Sequence, residues 1–170
     1  MLENFLTGDE LDAVLAEVKQ LPAGRGRHAR SEVVRSLMAH EKILPLVVDC
    51  AGWNIQCREC ILSKAGPMAG AASPDKLAAP WHFDYEEEHY GTTHDGLLPM
   101  LDFKASWYLS DHTEDGHAAT LVVPGSHLWT VEQRASWESW LKPEDVVPIK
   151  VPAGSVMLWR NRECTGLLSP

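Results

Sequence analysis

Three groups of residues in the chain are of types and spacings suited to chemistry. The first is Trp81-His82-Phe83-Asp84. On an extended backbone residues i and i+2 share a face, so His82 and Asp84 project side by side while Phe83 enters the opposite layer. An imidazole nitrogen and a carboxylate oxygen on one face supply two ligands of a 2-His-1-carboxylate centre, which leaves positions on Fe(II) open for a co-substrate and oxygen. Read alone, H-x-D is equally an ordinary strand pattern, and Glu86-Glu87-Glu88 behind it reads as a solvated acidic turn. The second group is Leu121-Val122-Val123-Pro124-Gly125-Ser126-His127, a β run whose Pro-Gly turn delivers Ser126 and His127 at a strand end. The third is the cysteines Cys50, Cys57, Cys60 and Cys164. Cys57 and Cys60 have C-x-x-C spacing, but a structural zinc site needs a second ligand pair, and none stands at a suitable distance. If residues 55–62 form a strand, these two thiols point to opposite faces. Ordinary reduced thiols are expected, with metal or redox pairing as the alternative.

The elements that would hold these groups divide the chain. Thr7-Gly8-Asp9-Glu10 spells a capping box, with Leu11, Val14, Leu15 and Val18 behind it at helical spacing until Leu21-Pro22. Gly24-Arg25-Gly26-Arg27-His28 reads as a solvated connector. Ser31 starts a second helix through Val34, Leu37 and Met38, and residues 43–48 predict another. Gly52-Trp53-Asn54 punctuates a change of period. Strands are then predicted at 55–62, 81–85, 101–109, 120–123, 146–151 and 155–159, with a loop of Gly, Ala, Ser and Pro at 65–80. Helices followed by short, regularly spaced strands give an α+β chain whose β part is a sandwich or jelly roll.

W-H-x-D, S-W-Y-L-S-D-H-T-E-D-G and L-V-V-P-G-S-H in this order resemble the phytanoyl-CoA dioxygenase family of non-haem oxygenases. N-F-L-T-G-D-E-L-D-A-V-L-A-E-V resembles that family's first helix, and Ala153-Gly154-Ser155-Val156-Met157-Leu158-Trp159 its late strand, so the similarity runs through about Arg162. The resemblance implies one oxygenase-like domain over 1–170, helical over 1–54 and a cupin-like double-stranded β-helix, or jelly roll, over 55–170. It implies Fe(II), 2-oxoglutarate as co-substrate and dioxygen, with His82 and Asp84 as iron ligands. The reaction it implies couples decarboxylation of 2-oxoglutarate to succinate with hydroxylation of a small organic substrate. Lys64, Trp107 and Thr120 stand where such enzymes place groups lining the 2-oxoglutarate pocket; each is also readable as a surface lysine, a core tryptophan and a strand threonine. His127 is expected to support the fold near the site.

The family pattern continues after the late strand with a distal histidine ligand and an arginine for the far carboxylate of 2-oxoglutarate. Here no histidine follows His127, and Thr165 lies near the place of the distal ligand. A shortened jelly roll lacking its last strands is therefore expected, with self-association through an open sheet edge a consequence. Other routes to a third ligand are His127, His94, His89 or Cys164, or a second copy of the chain, with Arg160 or Arg162 as carboxylate anchor. Two further readings stand beside the oxygenase: a non-catalytic family member acting only as a binding protein, and a cupin-like module using a zinc-bound water. Substrate contacts are expected from the loops at 86–96 and 129–143, whose Trp137 and Trp140 have the i, i+3 spacing of a helix packing face.

Composition bounds these readings. The chain has 170 residues, with 15 Lys plus Arg against 24 Asp plus Glu and a net charge of −9. That balance disfavours nucleic-acid or anionic-membrane partners and leaves a small-molecule substrate. No apolar run nears the roughly 20 residues a membrane span needs. The acidic start, Met1 to Glu10, has no basic signal-peptide segment, so the expected compartment is the cytoplasm.

Overall fold

The computed structural model describes residues 1–64, 81–83, 102–114, 120–160 and 164–167. Helix α1 (Gly8–Gln20) starts at the predicted N-cap, Thr7, and Leu21-Pro22 ends it. The capping box is spelled but not formed. The Thr7 hydroxyl makes no cap bond, and the Glu10 carboxylate instead lies 3.0 Å from Nε2 of His40, a partner thirty residues away. Asp9 and Glu10 still sit in the first turn, where the helix dipole favours negative charge. Helix α2 (Glu32–Met38) has the cap that α1 lacks: Ser31 Oγ accepts from Val34 N–H at 3.1 Å. Helix α3 (Leu44–Ala51) carries Pro45 in its first turn.

The chain forms two compact units, Met1–Gly66 with Ala105–Asp111 and Pro152–Leu158, and Pro67–Lys104 with His112–Val151 and Trp159–Pro170. In the first, Leu6, Val14, Val18, Val34 and Leu37 form the buried core, and Phe5, Leu11, Cys60, Leu62 and Trp107 pack against it. The predicted strand at 55–62 shrinks to β2 (Ile61–Leu62), which pairs antiparallel with β1 (Gly24–Arg25). The basic connector is thus part of the structure: Gly26 N–H donates to the Cys60 carbonyl at 2.9 Å, and Arg25 pairs with Glu59 at 2.6 Å. Strand β3 (Phe103–Tyr108) pairs with β6 (Ser155–Arg160), as the apolar runs at 101–109 and 155–159 predict. The N-terminal segment joins this region through a Leu2–Val156 bridge and through Phe5 and Leu6 N–H groups that both donate to the Gly154 carbonyl. Gly154 has φ +83°, and a Cβ there would overlap the Leu6 carbonyl. The position therefore requires glycine twice, for its backbone angle and for the close approach.

In the second unit a three-stranded antiparallel sheet runs β5 (Val147–Pro148), β4 (Thr120–Val122), β7 (Thr165–Leu167). The predicted strand at 146–151 keeps only two residues. Its Pro148 has no N–H for a ladder and sits on the edge opposite Leu121. Leu121, Val123, Leu141, Val146 and Cys164 form the buried cluster beneath this sheet, with Trp81, Phe83, Trp129 and Trp137 packed against it. Trp137 and Trp140 are not a helix face. Trp137 lies in a 3-10 turn against Trp81, with ring centroids 6.2 Å apart, and Trp140 meets Trp129 at 4.7 Å. Helix α4 (Val131–Ala135) begins with a capping box that does form, Thr130 and Gln133 bonding reciprocally at 3.2 and 2.9 Å. No helix among the described residues is long and apolar enough to cross a membrane.

Candidate metal centre

Strand β7 positions the site. In the β4–β7 register Thr120 stands opposite Leu167, Leu121 opposite Gly166 and Val122 opposite Thr165. Directly opposed residues in an antiparallel pair share a face, so Thr120, Val122 and Thr165 share one face and Leu121 turns to the other. On the far side of β7, His82 and Thr165 exchange both backbone hydrogen bonds, at 2.9 and 3.0 Å. That pairing puts the His82 side chain on the Thr165 face. Its Nε2 lies 3.4 Å from Thr165 Oγ1, at the long end of hydrogen-bond distance. His82 is exposed, whereas its neighbours Trp81 and Phe83 pack on the buried cluster, which is the alternation the W-H-x-D spacing predicts.

The face therefore presents a solvent-exposed imidazole beside a buried hydroxyl, with Thr120 two residues along the neighbouring strand. An imidazole suits a borderline cation such as Fe(II), and a hydroxyl offers a hard oxygen. Asp84 lies outside the described residues. Among the described residues no three His, Cys, Asp or Glu side chains gather at metal-binding distance. The donors that do meet are the one nitrogen of His82 and the oxygen of Thr165, so the fit to a metal rests on His82 and on what Asp84 adds. Cys164 takes no part. It is fully buried in the cluster of Leu121 and Val123, on the face away from His82.

Lys64 is exposed in the first unit and its Nζ donates to the Lys19 carbonyl at 3.1 Å. Trp107, also in the first unit, makes ring contacts with Phe5 and His40, with centroids 5.8 and 5.6 Å away. Thr120 belongs to the second unit together with His82. His127 is half-buried in the 3-10 turn after β4, and Arg160 is exposed at the end of β6. His89, His94 and Arg162 lie outside the described residues. The motif reading named Ser126 without its partner. It is fully buried and its Oγ accepts the Cys164 N–H at 2.8 Å. The P-G-S-H motif singled it out, but no spacing rule could name a partner 38 residues away.

The family model for phytanoyl-CoA dioxygenase (PhyH) matches residues 1–162. The chain belongs to the phytanoyl-CoA dioxygenase family. Members of this family depend on Fe(II) and 2-oxoglutarate. Among solved structures, the crystal structure of apo HygX from Streptomyces hygroscopicus is similar, with a TM-score of 0.65 and 21% identity over 99% of this chain and 75% of that one. At that identity the likeness is one of fold, and the fold is cupin-like. Within this phytanoyl-CoA dioxygenase-family chain, the three-stranded antiparallel sheet described above is the part on which His82 is mounted.

Proposed function

We propose that this chain is an Fe(II)/2-oxoglutarate-dependent dioxygenase that hydroxylates a small organic substrate, with His82 and Asp84 holding the metal. The observation that carries the reading is the exposed imidazole of His82 on the same sheet face as Thr120 and Thr165, in a chain of this family. Dioxygen would be the oxidant at the bound iron, one oxygen atom passing to the substrate and the other to 2-oxoglutarate, which would leave as succinate and carbon dioxide. The chain's own residues would position them: His82 as a nitrogen donor, Asp84 as a carboxylate donor by the i, i+2 rule, and Thr120, in the same unit as His82, as a contact of 2-oxoglutarate. A double-stranded β-helix fold and a cytoplasmic location belong to the same proposal. An anaerobic titration with Fe(II), with and without 2-oxoglutarate, tests it. A saturable visible charge-transfer band that vanishes in His82→Ala is expected; no band from folded protein would reject the assignment.

A second reading has an observation of its own. Thr165, not an imidazole, faces His82 at 3.4 Å. Two protein ligands hold Fe(II) more weakly than three. On this reading the chain binds an organic ligand without turning it over. Succinate formation separates the two: stoichiometric succinate on adding dioxygen supports the oxygenase, and 2-oxoglutarate that stays intact in the presence of bound iron supports the binding protein.

A further inference from the structure

The turn after β4 contains an exchange of hydrogen bonds whose effect reaches His82. Were the antiparallel ladder between β4 and β7 regular, the Cys164 N–H would donate to the Val123 carbonyl while the Val123 N–H donates to the Cys164 carbonyl. Only the second of these forms, at 3.2 Å. The Val123 carbonyl is taken instead by the Ser126 N–H at 3.1 Å, because Pro124-Gly125, with Gly125 at φ +84°, turns the chain back on itself. Ser126 Oγ replaces the lost acceptor and receives the Cys164 N–H at 2.8 Å. Both Ser126 and Cys164 are fully buried, so without the hydroxyl that N–H would lose its acceptor in a place water does not reach. The next residue, Thr165, turns its own N–H and carbonyl the other way, and both go to His82.

We infer that Ser126 is a positioning residue for His82: its hydroxyl adds one rung to the sheet where β4 departs, and that rung holds the strand on which the His82 backbone and imidazole are set. The inference rests on the proposed metal role of His82 for its functional meaning, but not for its structural content. Removing the Ser126 hydroxyl frees the start of β7, so the His82–Thr165 bridge opens more often and the imidazole samples a wider range of orientations. A metal donor held less firmly binds its ion less tightly, as when the outer partners of metal-ligating histidines are removed.

The test uses the full chain labelled with nitrogen-15, as wild type, Ser126→Ala and Leu141→Ala. Leu141 is buried in the same cluster but supplies no hydroxyl. Amide exchange is followed at His82 and Thr165 and, for comparison, at Ile149, whose N–H donates to Thr120 across the other side of β4. In Ser126→Ala the His82 and Thr165 amides are expected to exchange about tenfold faster relative to Ile149, and the His82 ring signals to shift. Leu141→Ala should speed all three together. Equal acceleration of all three amides in Ser126→Ala would overturn the inference. If Ser126→Ala does not fold, Ser126→Cys, of similar size and with a weaker acceptor, is read by the same comparison. A Co(II) titration then addresses the metal. Affinity about tenfold lower in the Ser126 variant supports the functional link, and unchanged affinity beside altered exchange removes it. Failure of the wild type to bind Co(II) would reject the metal reading of His82, and the exchange ratios alone would then decide the role of Ser126.

Discussion

Replacing His82 by alanine takes an exposed imidazole from the face it shares with Thr120 and Thr165 but leaves the two backbone bonds to Thr165 in place. An exposed side chain of this kind contributes little to folding, so the unfolding free energy from urea titration should change by no more than about 0.5 kcal/mol, while Fe(II)-dependent binding of 2-oxoglutarate disappears. Unaltered iron binding in that variant would place the metal elsewhere. Cys60 gives a second prediction at this scale. Burial, and after it the neighbouring Cys57, push its thiol pKa up, against a smaller lowering by the His28 backbone N–H. The folded chain therefore keeps this proton at pH values where the unfolded chain has lost it. The Cys60 contribution is complete below the ordinary thiol range and fades as pH climbs through that range towards the raised value. Denaturation midpoints in Cys60→Ser should fall less steeply with alkaline pH than in the wild type; identical slopes would mean that the thiol is not shielded.

Among the described elements, the junction between the N-terminal segment and β6 tolerates little change. Gly154 combines a left-handed φ with close approach to the Leu6 carbonyl, and its own carbonyl accepts from both Phe5 and Leu6. Gly154→Ala must relieve both constraints by moving backbone, and a loss of about 2–4 kcal/mol is expected from equilibrium urea unfolding. Gly8 has φ +52° with nothing within reach of a Cβ, so Gly8→Ala should cost distinctly less. The two helix starts offer a matched pair. Ser31→Ala removes a formed cap bond and should destabilise by about 1 kcal/mol, whereas Thr7→Ala removes a side chain that makes no cap bond. Equal losses at Ser31 and Thr7 would contradict the hydrogen-bond pattern described here.

For the molecule as a whole, a net charge of −9 sets how copies of the chain meet. Like charge keeps them apart at low ionic strength, and at about 0.15 M salt the screening length falls to about 8 Å. If a sheet edge mediates self-association, sedimentation velocity should show a monomer at low salt and growing dimer as salt rises. A monomer throughout would remove that expectation. The same charge argues that retention on immobilised nucleic acid will be absent at physiological salt.

Much of this was legible from local chemistry. Apolar residues at helical spacing marked α1 and α2 because burying Val14, Val18, Val34 and Leu37 is a one-dimensional periodicity. Alternation at Trp81-His82-Phe83 foretold which side chain would be left open. The order of H-x-D and P-G-S-H carried the family resemblance. Strand ends at 55–62 and 146–151 were not legible, because a strand lasts only as long as its partner runs beside it, and short partners leave β2 and β5 with two residues each. Glu10 left its capping box for His40, a partner that only folding brings near. Likewise Ser126 meets Cys164, and Thr165 meets His82, across 38 and 83 residues. Local spacing decides which side chains share a face, but hydrogen bonds between segments distant in sequence decide which faces meet, and only the tertiary structure brings those segments together.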